Sequence, residues 1–120
     1  MNELVIKVAR KGEGKTKWLL NIAHDYHNQD NPIFLYTDSE HEYSRFCEKY
    51  FSNFASICKV KQFNISDISV DSVVLIDDVL NKNVNVRQLQ EKCKNIYITI
   101  EGSTKYEAPP EYEQLSISIL

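Results

Sequence analysis

The chain has 120 residues and a mass of 14.0 kDa, which is long enough for one domain with a single core and too short for two. Apolar residues make up 42% of it, yet no apolar run approaches the roughly 18 residues of a membrane-spanning helix, which excludes such a helix. The net charge of −3 excludes a positive field over the whole chain, so composition does not support nucleic-acid binding.

We expect a cytoplasmic protein with reduced thiols. The cysteines, Cys47, Cys58 and Cys93, are odd in number and have neither the spacing of a disulfide framework nor that of a metal site. The chain starts without the basic and long apolar segments of a secretory signal. Its richness in Ile, Asn and Lys indicates AT-rich coding DNA, as in a low-GC bacterium or its phage.

The chain begins with the pattern strand, loop, helix, strand. Residues 4–8 are a β-branched run that predicts a strand, and a loop with two glycines follows. Residues 15–29 have apolar side chains three and four positions apart, which predicts an amphipathic helix that the Pro32 region ends. Residues 33–36 are a short apolar run that predicts a buried strand.

A second helix is predicted from its cap and its apolar stripe. Ser39 is a typical N-cap residue, and Glu42 three positions later completes a capping box. Aromatic and apolar residues then recur with helical period from Tyr43 to Phe54. Such a stripe could form a platform for a ligand, but core packing is the more common reason for it.

The second half of the chain alternates strands with one short helix. Because strands separated by helices favour parallel pairing, we predict a single three-layer α/β domain over residues 1–120, with a mostly parallel central sheet of about five strands. The predicted segments are strands at 57–63, 73–76, 96–100 and 115–119, a helix at 86–93, and loops at 64–72 and 101–113.

The first loop carries the most specific motif. It matches the P-loop pattern [AG]-x-x-x-x-G-K-[ST], follows a predicted strand and opens a predicted helix, as a phosphate-binding loop requires. Gly12 and Gly14 allow backbone amides to turn toward phosphate oxygens, Lys15 can reach the β- and γ-phosphates, and the Thr16 hydroxyl can bind Mg²⁺. We therefore predict that the whole loop binds the nucleotide. Its residues are Ala9, Arg10, Lys11, Gly12, Glu13, Gly14, Lys15 and Thr16.

Two carboxylates follow the apolar strand predicted at 73–76. A Mg²⁺ ion on a triphosphate needs a carboxylate near the threonine hydroxyl, so we predict Thr16 and Asp77 as the metal residues. Asp78 stands where many P-loop ATPases have a glutamate that orients the attacking water, and its side chain is one methylene shorter. Lys15 and Asp78 are the predicted catalytic residues.

Together these features resemble a P-loop NTPase of the ASCE (RecA-like or AAA-like) division, reduced in size. The resemblance implies ATP or GTP with Mg²⁺ as cofactors and a strand order 5-1-4-3-2 with the P-loop strand central. It also implies a polar sensor residue after the next strand, for which Thr99, Ser103 and Thr104 are all candidates. The lid and C-terminal helical regions of larger members have no counterpart here.

Three functions follow from this resemblance. The first is Mg²⁺-dependent binding of a nucleoside triphosphate, with ATP preferred, and hydrolysis coupled to a protein partner, a second copy of the chain or a nucleic acid. The alternative is a non-catalytic adaptor or inhibitor with the same fold that acts by protein contact. A nucleoside or nucleotide kinase is less favoured because no arginine-rich lid segment follows the core.

Overall fold

A single parallel sheet organises the protein. The structure, a computed structural model, describes residues 3–51, 60–102 and 117–119, and these ranges contain six strands and three α-helices. The strands are β1 (Glu3–Ala9), β2 (Ile33–Leu35), β3 (Val60–Gln62), β4 (Val73–Ile76), β5 (Asn95–Glu101) and β6 (Ile117–Ile119). The helices are α1 (Lys15–His27), α2 (Glu40–Phe46) and α3 (Val86–Gln90).

The strand order is β3-β2-β4-β5-β1-β6, and every pair is parallel. Without the edge strand β3, the order agrees with the one that the resemblance implies, but β1 lies next to the edge strand β6 instead of at the centre of the sheet. Strand β5 separates β1 from β4, with Ala9 opposite Glu101 and Ile76 opposite Ile98. Since all carboxyl ends point the same way, the loop after β1 and the carboxylates after β4 lie at one edge, one strand apart.

The two faces of the sheet carry separate cores, as the predicted three-layer architecture requires. One face packs against α1 and α2, and the other against α3 and two 3₁₀ turns at Ile65–Asp67 and Val79–Asn81. The first core is Leu19, Ala23, Ile33, Leu35, Val73 and Leu75; the second includes Leu4, Ile6, Val74, Ile76, Val86, Leu89, Ile96, Ile98 and Ile100. Neighbouring residues of one strand alternate between these cores because side chains of a strand alternate in direction.

Helix α1 is the predicted first helix, two residues shorter at its end. Leu19 and Ala23 are buried against the sheet, as the apolar stripe predicts. The helix stops at His27 because a turn over the next three residues leads to Pro32, whose ring disfavours a helical residue before it. Its first residue, Lys15, comes directly after the glycine loop.

Helix α2 begins as predicted and then changes its winding. The Glu42 amide donates to Ser39 Oγ at 3.1 Å, while the Glu42 carboxylate accepts from the Asp38 amide rather than from the cap residue itself. After Phe46 the chain forms a π-helical turn, Cys47–Phe51, which the helical period did not predict. Phe54, the predicted end of the stripe, lies outside the described residues.

The later elements agree with prediction in type and differ in extent. Helix α3 stops at Gln90 instead of continuing to Cys93, and Ile65–Asp67 forms a 3₁₀ turn inside a predicted loop. The predicted loop 101–113 and the first residues of the last predicted strand lie mostly outside the described ranges. Within those ranges, no helix has both the length and the apolar character needed to cross a membrane.

Two leucines test the described core, because one is buried in it and the other is exposed. Leu75 is 1% exposed in β4 and Leu80 is 51% exposed in the following turn. Leu75→Ala should lower the free energy of unfolding by about 2–5 kcal/mol, because it opens a cavity in the core. Leu80→Ala, the matched control, should change it by less than about 0.5 kcal/mol. Urea denaturation measures both values, and equal losses would contradict the described packing.

Candidate functional site

The loop between β1 and α1 has the backbone that its glycines permit. Gly12 and Gly14 both have φ of 83°, in the left-handed region that L side chains rarely adopt. A Cβ atom added at either position would meet no other atom within 4 Å, so the glycines are required by conformation and not by space.

Two backbone amides of this loop are unpaired. In the part of the chain that the structure describes, the amides of Gly12 and Gly14 have no hydrogen-bond partner. The first amides of α1 have none within the helix, and no acidic residue in its first turn offsets the positive end of the helix dipole. The loop thus combines free N–H groups with a positive potential, a combination that binds anions.

Three hydrogen bonds connect residues within the loop. The Arg10 amide donates to the Glu13 carboxylate at 3.2 Å, and the Glu13 amide donates to the Arg10 carbonyl at 3.1 Å. Lys15 Nζ donates to the same Arg10 carbonyl at 3.0 Å. Lys15 therefore spans the loop from its last turn to its first, while Lys11 is exposed and Ala9 is buried at the end of β1.

The Asp77 carboxylate joins three elements of the fold. Thr16 Oγ1, at the start of α1, donates to Asp77 Oδ2 at 2.9 Å. Thr99 Oγ1, on β5, donates to Asp77 Oδ1 at 2.6 Å. Each carboxylate oxygen has one hydroxyl donor, so the orientation of the group is set from both sides. Of the three sensor candidates, Thr99 is the one seen at this carboxylate; Ser103 and Thr104 lie outside the described residues.

Asp78 is held differently from Asp77. Its backbone is left-handed, with φ of 56°, an uncommon conformation that aspartate tolerates better than most residues. Its amide donates to Thr99 Oγ1 at 2.7 Å, and its carboxylate accepts from Asn81 Nδ2 at 2.7 Å. Among the described residues, Asp78 makes no hydrogen bond to the glycine loop. The structure thus brings Thr16 and Asp77 together and turns the Asp78 side chain toward its own 3₁₀ turn.

Polar contacts also tie the loop after β2 to the turn after β4. The Asn83 amide donates to Asp38 Oδ1 at 2.9 Å, the Tyr36 hydroxyl donates to the Asn83 carbonyl, and Lys82 pairs with Glu42 at 2.9 Å. Burial, with the nearby Asp38 carboxylate, raises the pKa of Tyr36 above its ordinary value. Sequence reasoning missed these contacts, because isolated polar residues in loops have no periodicity.

The oxygen ligands at this edge suit Mg²⁺ better than a transition metal. No group of three or more His, Cys, Asp or Glu side chains that could enclose a metal is found within residues 3–51, 60–102 and 117–119. Mg²⁺ requires less, since it keeps several waters and uses one or two carboxylates beside phosphate oxygens. Asp77 and the Thr16 hydroxyl fit that pattern.

Comparison of the chain with protein-family models, with curated proteins and with solved structures found no match.

Thr99 offers a test of the hydrogen bonds around Asp77. Thr99→Val keeps the side-chain shape but leaves a carboxylate oxygen and the Asp78 amide without their partner, so the free energy of unfolding should fall by about 1–3 kcal/mol. Thr99→Ser, which keeps the hydroxyl, should lose less. Urea denaturation of the three proteins measures the difference. A valine variant as stable as the serine variant would show that the hydroxyl contributes nothing.

Proposed function

We propose that this chain binds a nucleoside triphosphate together with Mg²⁺ at the carboxyl edge of its sheet. The observation that carries the proposal is the Thr16–Asp77 hydrogen bond of 2.9 Å beside a loop with two left-handed glycines. A threonine that directly follows such a loop, in contact with a carboxylate at the end of a neighbouring strand, is the pair that Mg²⁺-triphosphate binding needs.

The β- and γ-phosphates would lie in the loop 9–16. The unpaired amides of Gly12 and Gly14 and the start of α1 would donate to the phosphate oxygens. Lys15 Nζ would exchange the Arg10 carbonyl for a phosphate oxygen, gaining a charge-assisted contact in place of a neutral acceptor.

Thr16 and Asp77 are the residues that would hold Mg²⁺ beside these phosphates. When bound, the ion would offset the negative charge of the β- and γ-phosphates. Thr16 would turn its hydroxyl from Asp77 to the ion, while Thr99 keeps the other carboxylate oxygen in place. Thr99 therefore positions the carboxylate without contacting the nucleotide.

The strand order supports the resemblance to a small P-loop NTPase of the ASCE division. In that division a strand separates the P-loop strand from the strand that ends in the metal carboxylate, and β5 lies between β1 and β4 here. The nucleotide would be ATP or GTP, as the resemblance implies. The same proposal includes a protein partner or a second copy of the chain, to which nucleotide binding would be coupled.

Binding is better supported than hydrolysis. The Asp78 carboxylate, the candidate for orienting water, accepts a hydrogen bond from Asn81 instead of facing the loop. This observation favours the alternative, a non-catalytic adaptor or inhibitor with the same fold that acts by protein contact. Turnover would then need either a movement of Asp78 or a residue from a neighbouring molecule.

Lys15 tests the phosphate site. Lys15→Ala should weaken binding of Mg²⁺-ATP by about ten- to hundredfold, because it removes a charged donor to the phosphates. Lys17→Ala is the matched control: Lys17 is exposed on the first turn of the same helix, and its loss should have little effect. Isothermal titration calorimetry with ATP and GTP measures the affinities. The proposal fails if neither nucleotide binds at about 1 mM or if both variants lose affinity equally.

Asp77 tests the metal site. Asp77→Asn should weaken nucleotide binding in Mg²⁺ by about tenfold and abolish the difference between Mg²⁺ and EDTA, because an amide cannot replace a carboxylate at the ion. Asp71→Asn is the control, since Asp71 is exposed before the opposite end of β4. A Mg²⁺-dependence that survives in Asp77→Asn would place the ion elsewhere.

A further inference from the structure

Among the described residues, a groove beside Asp77 shares that one lining residue with the proposed triphosphate site. It runs along α2 and the π-helical turn, has a volume of about 770 Å³, and includes Asp77 among its lining residues. This volume lies within the range of small-molecule pockets, which is roughly 300–1,000 Å³. The groove therefore has room for a second ligand next to the candidate metal carboxylate.

Two aromatic rings form part of the groove. The rings of Phe46 and Tyr50 have their centroids 4.7 Å apart at an angle of 50°, and both residues line the groove. Phe46 also packs against the core on the α1 side, which anchors the pair. The π-helical turn begins between these two residues, and such turns occur frequently at functional sites. Part of the aromatic stripe therefore forms a surface on which a flat ring can stack.

Cations lie beside these rings. Arg45 and Lys49 both line the groove, and neither forms an ion pair with any carboxylate in the described residues. Lys49 Nζ lies 5.1 Å from the centroid of the Tyr50 ring. In contrast, Glu42 is already paired with Lys82, so its charge is offset within the protein. Arg45 and Lys49 thus offer two positive charges to an anionic ligand, in a groove that the carboxylates of Glu48 and Asp77 also line.

We propose that this groove binds a nucleoside monophosphate. Its base would stack on the Tyr50 ring beside Phe46, and its phosphate would contact Arg45 and Lys49, which matches each chemical part of the ligand with a feature of the lining. The net charge of −3 and Glu48 at the same groove disfavour a longer polyanion such as single-stranded nucleic acid. The position of the ligand beside a triphosphate rests on the proposed function; its binding to the groove does not.

Titration of the full chain with AMP, GMP, CMP and UMP, each alone, tests the proposal. At least one should bind more tightly than about 1 mM, and Arg45→Ala and Lys49→Ala should each weaken it by about tenfold. Tyr50→Leu should cause a similar loss, because it removes the stacking ring and keeps an apolar side chain. Lys92→Ala, an exposed lysine beyond α3, should bind like the unchanged protein, and circular dichroism checks that each variant is folded.

Lys15→Ala separates the two sites. This variant should lose ATP affinity and keep mononucleotide affinity. Binding to the groove can therefore be tested even if the triphosphate proposal fails. The groove proposal is overturned if no mononucleotide binds, if Arg45→Ala and Lys49→Ala bind like the unchanged protein, or if Lys15→Ala alone abolishes mononucleotide binding. A ten-residue oligonucleotide that binds more than about tenfold tighter than its mononucleotide would also overturn it.

Discussion

The hydrogen bonds to the Asp77 carboxylate are the interaction on which the candidate site depends. Thr16 approaches it from α1 and Thr99 from β5, at 2.9 Å and 2.6 Å. Both approaches require β5 to lie between β1 and β4, because that order brings the loop and the carboxylate to one edge at this separation. Buried hydroxyls must be paired, and Thr99 is fully buried, so the network also stabilises the edge that it organises.

The same network occupies the groups that a ligand would need. Lys15 is bound to the Arg10 carbonyl and Thr16 to Asp77, so both have internal partners. A phosphate or a metal ion would exchange these hydrogen bonds for stronger ones instead of adding new ones. The net free energy of such an exchange is smaller than the full strength of the contacts formed. The preorganisation of these groups partly offsets this smaller gain in free energy, because little conformational entropy is lost when they bind.

The sequence predicts those parts of the site whose residues are close together in the chain. The glycine loop, the start of α1 and the strand before Asp77 were all predicted, because each depends on residues that are neighbours in sequence. The contact of Thr99 with Asp77 was not, because it requires the order of strands, and three candidates remained. The Asp78 backbone and the π-helical turn leave no periodic signal either. Part of the aromatic stripe, interpreted as core, also faces the groove.

The pairing of β1 sets an order in which this protein can be assembled. Both sheet neighbours of β1 come from the distal part of the chain, with Glu3 opposite Asn95 and Leu4 opposite Ile117. During synthesis the first strand has no partner until β5 has left the ribosome, although its loop and α1 are made early. Contacts so distant in sequence are entropically costly to close and form slowly. The glycine loop, made before β5, therefore becomes anchored in the sheet only after β5 is made.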